Sequence, residues 1–158
     1  MIKRFILFII AVTYFGSVAA EEPYPIQNKI FIKMKANPKK WQGKEVAFQG
    51  VIDEFIDSGK SAPYFKIKMP SPEVAELWAA LLFKPGMGYN FKVGDIVRIF
   101  GYYQSFDKGV ESVGANNSGF HLLTFCVVNI STSETYFMPQ GIKQCESWGR
   151  GELPKLNN

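Results

Sequence analysis

Trp41-Gln42-Gly43-Lys44-Glu45-Val46-Ala47-Phe48-Gln49-Gly50-Val51-Ile52 is the stretch on which the fold turns. Residues 39–44 are polar around a single tryptophan and read as a turn. The hydrophobic period then becomes two. Val46, Phe48 and Ile52 alternate with Ala47, Gln49, Val51 and Asp53, the pattern of a half-buried strand running to about Phe55. Gly50 lies inside that strand, where a bulge or a sharp bend is expected. The same arrangement recurs downstream. Phe91-Lys92-Val93-Gly94-Asp95 forms a tight turn into a strand from Ile96 to Phe106, with Val97, Ile99 and Tyr103 on one face and Gly101 as a second bend.

Other elements follow from these two. Asn28 to Ala36 reads as a short helix, with Asn28 as a cap, Ile30, Phe31 and Met34 on one side, and Lys29, Lys33 and Lys35 facing out. Asn37-Pro38 stops it, because a residue before proline avoids the helical region. Residues 57–63 form a loop, and Tyr64 to Met69 alternates again, with Phe65, Ile67 and Met69 facing one way. Residues 70–83 have two readings. Ser71, Pro72 and Glu73 suit a helix start, and Val74, Leu77, Trp78 and Leu81 keep helical spacing, which favours a helix. The later half, Leu77 to Phe83, also suits a buried strand. Residues 84–90 and 107–119 read as loops, His121 to Ile130 as the last strand, and 132–158 as an irregular tail held by Cys145.

The first twenty residues read as an address. Lys3 and Arg4 precede the apolar run Phe5 to Phe15, and Gly16-Ser17-Val18-Ala19-Ala20 supplies small residues before Glu21-Glu22-Pro23. That is the layout of a cleavable signal peptide, and the protein is expected to be exported, either periplasmic or secreted. The run is short for a membrane span, so the mature chain is not expected to span a membrane. Residues 21–36 then form a lead-in and short helix, 37–131 the main domain and 132–158 the tail. Cleavage leaves 16 basic and 14 acidic residues in place of 18 and 14, so the net charge falls from +4 to +2. Such a weak positive charge does not mark a nucleic-acid binder. In an oxidising compartment the two cysteines, Cys126 and Cys145, are expected to pair; no Cys-x-x-Cys spacing points to redox chemistry. A composition 47% hydrophobic and 15% aromatic excludes a disordered chain, a coiled coil and a collagen-like repeat.

Several short strands with bend glycines, two long loops and one or two helices imply a mainly β small barrel. The segments 41–52 and 91–101 resemble the first and fourth strands of an OB-fold, with its rhythm of turn, Gly-Lys, strand, Gly, then Val-Gly-Asp, strand, Gly. Over residues 37–131 the chain resembles exported bacterial OB-fold proteins and anticodon-binding-like OB modules more than any enzyme. The resemblance implies a five-stranded barrel with a ligand-accommodating surface and no particular ligand.

The chemistry-bearing residues are few. His121 is the single histidine, with no Gly-x-Ser-x-Gly elbow to serve it, and one histidine with two paired cysteines cannot supply a zinc site. Gly59-Lys60-Ser61 copies the end of a phosphate loop, but Glu54 stands where the first glycine is needed and Pro63 prevents the following helix. Asp53, Glu54 and Asp57 form an acidic cluster without the remaining spacing of a calcium loop. A nuclease resembling thermonuclease needs two arginines at the phosphate, whereas the mature chain keeps only Arg98 and Arg150. Two sequons occur, at Asn116 and Asn129. No enzyme activity, metal or cofactor is expected. The expected function is a non-enzymatic binding module whose partner is an unidentified envelope protein or polymer. A rival reading takes Trp41, Tyr64, Lys66, Lys68, Arg98 and Tyr102, with Tyr103 and Phe106 beside them, as an aromatic and basic strand face for single-stranded nucleic acid or oligosaccharide.

Overall fold

The structure, a computed structural model, describes residues 25–60, 62–69, 75–84, 86–106, 119–152 and 155–156. The signal segment 1–20, the first lead-in residues, the Ser71–Pro72 helix start, the loop after Phe106 and the Asn116 sequon lie outside them. Helix α1 (Pro25–Ala36) leads through a single-turn helix α2 (Pro38–Trp41) into strand β1 (Glu45–Ile56). Strands β2 (Tyr64–Met69), β3 (Ala75–Leu81), β4 (Ile96–Phe106) and β5 (Gly119–Asn129) follow. Strand β6 (Glu134–Phe137), a 3-10 turn at Pro139–Gly141 and helix α3 (Ile142–Gly149) complete the chain.

Strands β1 to β5 close into a barrel in which β3 meets β5 in parallel and every other pairing is antiparallel. This is the OB-like arrangement. β1 makes it possible by serving two ladders. Residues Glu45–Val51 pair with β4 and Val51–Ile56 pair with β2. The two ladders overlap at Val51; at the preceding Gly50 a Cβ would lie 2.7 Å from the carbonyl oxygen of Lys68, so no other residue fits without moving backbone, and the β1–β2 register shifts between Ile52 and Glu54. Gly101 marks the second irregularity: Phe100 faces Cys126, Gly101 faces Thr124, and Phe125 is the extra residue of a bulge.

Alternating side chains fill the barrel. Val46, Phe48 and Ile52 meet Phe65, Ile67, Leu77, Val97, Ile99 and Tyr103, all at most 1% exposed. Phe31 and Met34 of α1 join this core, Phe31 edge-on to Phe48 at 6.5 Å. The helix begins at Pro25, ahead of the expected cap Asn28. Asn37 caps the next helix: its Oδ1 accepts from the Lys40 amide at 3.3 Å, and part of the expected 39–44 turn becomes α2.

Two expectations are corrected. Residues 75–81, favoured as a helix, form β3. Leu77, Ala79 and Leu81 point inward at 0% exposure, and strand pairing on both sides closes the barrel. The small Ala79 and Ala80 conceal the alternation, and tertiary pairing overrides a periodicity that suited either state. The tail is regular through Gly149. β6 adds to β5, and α3 covers the outer face of β4 and β5. There Ala47, Phe100, Phe125, Val128 and Trp148 form a second apolar layer. Cys126 and Cys145 are bonded inside it, with a Cα separation of 5.5 Å. Among the described residues no helix is long and apolar enough to cross a membrane.

Candidate functional site

The six residues singled out as a binding face do not converge on one open platform. Trp41 ends α2 and packs against the barrel core, with the Lys44 ammonium 5.6 Å from its ring. Tyr64, Lys66 and Lys68 occupy the outer side of β2. Tyr64 is buried against Trp78 at 5.4 Å, and burial raises its phenol above the ordinary range. Lys66 lies 3.5 Å from an Asp53 carboxylate oxygen and 5.8 Å from the Trp78 ring. Lys68 donates to Asp53 at 2.6 Å. That hydrogen bond is the largest influence holding the Asp53 carboxyl below its usual range, so its contribution to stability is lost as pH falls through the lowered value. The two lysines of this face thus share one carboxylate within the fold.

Arg98 has a structural task. Its Nε donates to Gln49 Oε1 at 3.0 Å, and Nη1 donates to the carbonyls of Trp148 at 3.1 Å and Gly149 at 3.4 Å. These are among the last carbonyls of α3, where a cation is favoured. Tyr102 remains 38% exposed and leans on Phe125 at 5.1 Å. Tyr103 is buried inside the barrel, and the Phe106 side chain lies outside the described residues.

A concavity among the described residues lies elsewhere. Where β3 ends, the chain leaves β5, and β6 takes up the next stretch of β5 from Cys126 to Asn129. Between the departing segment and β6 lies a groove of about 450 Å³. One wall is Leu82, Phe83, Lys84, Met87 and Tyr89; the other runs from Thr135 to Pro139. Stacked rings carry the site into the barrel. Tyr89 meets Tyr136 edge-on at 5.3 Å, and both touch Phe91, at 5.9 Å and 5.0 Å. Phe91 in turn packs on Phe55 and Phe65.

The phenols are held at their ends, which leaves the ring faces as apolar walls. Tyr89 donates to the Lys84 carbonyl at 2.6 Å. Tyr136 accepts from the Asn90 amide at 3.3 Å and donates to Glu134 Oε2 at 3.2 Å. Burial raises both phenols above their ordinary value, with the nearby Asp57 charge adding to the effect at Tyr89. Asp57 also ties this end of the barrel together by accepting from the Gly59 amide at 2.9 Å and the Gly86 amide at 3.1 Å. Met87 is 62% exposed and Phe137 is 43% exposed, so the groove opens to solvent with apolar lips.

The remaining sequence candidates have local explanations. Asp53 pairs with lysines and Asp57 caps a turn; among the described residues no group of three metal-ligating side chains gathers. His121 is buried in the barrel wall. Asn129 is fully buried, donates to Asp95 at 2.7 Å and accepts from the Ser131 amide at 3.0 Å, so its sequon is inaccessible. The chain matches no protein-family model, and no curated protein aligns with it. Sequence reasoning missed the groove because its walls fell in three segments read separately: Leu82 and Phe83 at the end of a helix or buried strand, residues 84–89 as loop, and residues 135–139 as tail. The available signal was their composition. Met87 and Tyr89, then Tyr136, Phe137 and Met138, are too apolar for solvated connections.

Proposed function

We propose that this protein is an exported, non-enzymatic binding module that works through the groove between residues 82–89 and 135–139. One observation carries the reading: an open cavity of about 450 Å³, walled by aromatic and methionine side chains, at the end of an otherwise closed barrel. That volume falls among ordinary ligand sites, and adaptable methionines beside fixed rings suit an apolar ligand. Burial of the single histidine supports a role without acid–base catalysis. The signal-like start and the Cys126–Cys145 bond support work outside the cytoplasm. The aromatic and basic strand face is the weaker reading, because Asp53 answers Lys66 and Lys68 and α3 occupies Arg98.

The test is binding of an anilinonaphthalene sulfonate dye. Wild type enhances its fluorescence, Met87→Asp and Phe137→Asp lose the enhancement, and Tyr64→Ala and Tyr102→Ala keep it. A dye response that survives both groove changes, or that depends on Tyr102, refutes the reading.

A further inference from the structure

Resting on that reading of the groove, we infer that its occupant is an extended polypeptide segment of a partner protein, added as a strand to the free edge of β6. The backbone geometry carries this. β6 pairs with β5 alone and ends the sheet. The Met138 amide donates to the Phe125 carbonyl at 2.9 Å, and Tyr136 faces Val127. In an antiparallel ladder successive residues turn their amide and carbonyl to opposite sides. Glu134 and Tyr136 therefore bond towards β5, and Thr135 and Phe137 present their N–H and C=O to the groove. Among the described residues no backbone partner meets them there.

An apolar small molecule uses the rings and leaves these donors and acceptors unanswered. An extended peptide uses both. Strand addition of this kind takes affinity from main-chain bonds and specificity from pockets for alternate side chains. The edge is short and carries one charge, Glu134. Over its four residues it carries neither lysine nor proline, so its outward N–H and C=O groups stay open to pairing. Its outward residues are β-branched and aromatic, which suit pairing.

The groove selects one chain over a second barrel. The wall of Leu82, Phe83, Lys84 and Met87 lies across the groove from the edge, and a volume of about 450 Å³ suits a few residues of one extended chain better than a second sheet. Charge sets a further requirement. Lys84 lines the groove and forms no ion pair among the described residues. Its ammonium favours an acidic side chain on the incoming segment, in keeping with the chain's net positive charge. The partner chemistry is therefore a short extended segment with apolar residues at alternate positions and an acid reaching Lys84.

The experiment selects binders to the oxidised protein from a display library of random nine-residue peptides. The selected peptides are expected to alternate apolar residues and to carry an acid. Binding is expected to slow hydrogen exchange at the Thr135 and Phe137 amides. N-methylation of the peptide at residues facing β6 is expected to weaken binding at least tenfold, and at the alternate residues to leave it nearly unchanged. Thr135→Pro removes one outward N–H without touching the β5 ladder and is expected to weaken binding similarly; the N-methylated peptides make the same test on unaltered protein. Indifference to N-methylation position, or protection at other amides, overturns the inference. Failure to select any peptide, while the dye still needs Met87 and Phe137, overturns strand addition and leaves the groove reading standing. Failure of both removes both. Concentration-dependent dimerisation that protects Thr135 and Phe137 without peptide also overturns it, because a second copy then fills the edge.

Discussion

Removing the Cys126–Cys145 bond separates what the disulfide does from what α3 does. The residues are 19 apart in sequence, and a closed loop of that length restricts the unfolded chain by about 3 kcal/mol in the chain-entropy treatment. Unfolding entropy near 2.1 cal/mol/K per residue gives roughly 0.3 kcal/mol/K for a chain of this size, so Tm is expected to fall by about 10 °C. The barrel does not depend on the bond, because its five strands close without it. Helix α3 also keeps other anchors. The Trp148 indole N–H donates to the Ile99 carbonyl at 3.1 Å from a fully buried ring, and Arg98 holds the helix end. The variant Cys126→Ala/Cys145→Ala is therefore expected to retain its near-ultraviolet tryptophan dichroism at room temperature while melting earlier. Thermal unfolding followed at both far- and near-ultraviolet wavelengths checks this. A fall in Tm below about 3 °C, or loss of the tertiary signal before melting, refutes the reasoning.

Three further outcomes are expected. Arg98→Met removes charge-assisted bonds to Gln49 and the end of α3 and should cost about 1–3 kcal/mol in urea unfolding, with dye binding at the groove unchanged. Gly101→Ala places a Cβ 2.5 Å from the Leu123 carbonyl oxygen at the β4–β5 bulge and should destabilise by at least about 1–3 kcal/mol in the same assay. Tyr64, Tyr89, Tyr103 and Tyr136 have phenols raised above their ordinary value of 10.0, chiefly by burial. The unfolded chain then loses these protons before the native one does. Their contribution is whole below pH 10.0 and declines as pH rises through the raised values, so denaturant midpoints should fall on the alkaline side while phenolate absorbance lags.

The fold was legible where apolar residues recur at every second position. Val46, Phe48 and Ile52, and later Val97, Ile99 and Tyr103, alternate because they fill the barrel interior, and Gly101 stands at a bulge, whereas the β1 bulge falls at Asp53 and Gly50 serves close approach to Lys68. β3 was hidden because Ala79 and Ala80 blur its alternation, and only closure against β2 and β5 selects the strand. β6 and α3 were hidden for a related reason. A four-residue strand is too short to show a period, and α3 owes its place to Trp148, Cys145 and Arg98, contacts distant in sequence. Residue types alone put aromatics and lysines on one face. They could not reveal that Asp53 and α3 already engage Lys66, Lys68 and Arg98, or that Phe83, Tyr89 and Tyr136 meet from two unrelated segments.

The most direct test of the groove uses its own methionines. Met87 and Met138 line it, whereas Met34 and Met69 are buried in the barrel core. With the methionine methyl groups carbon-13 labelled, titration with an apolar aromatic probe should shift and broaden the Met87 and Met138 signals together. The Met34 and Met69 signals should stay in place. Unmoved Met87 and Met138 signals under a probe that demonstrably binds would contradict the account.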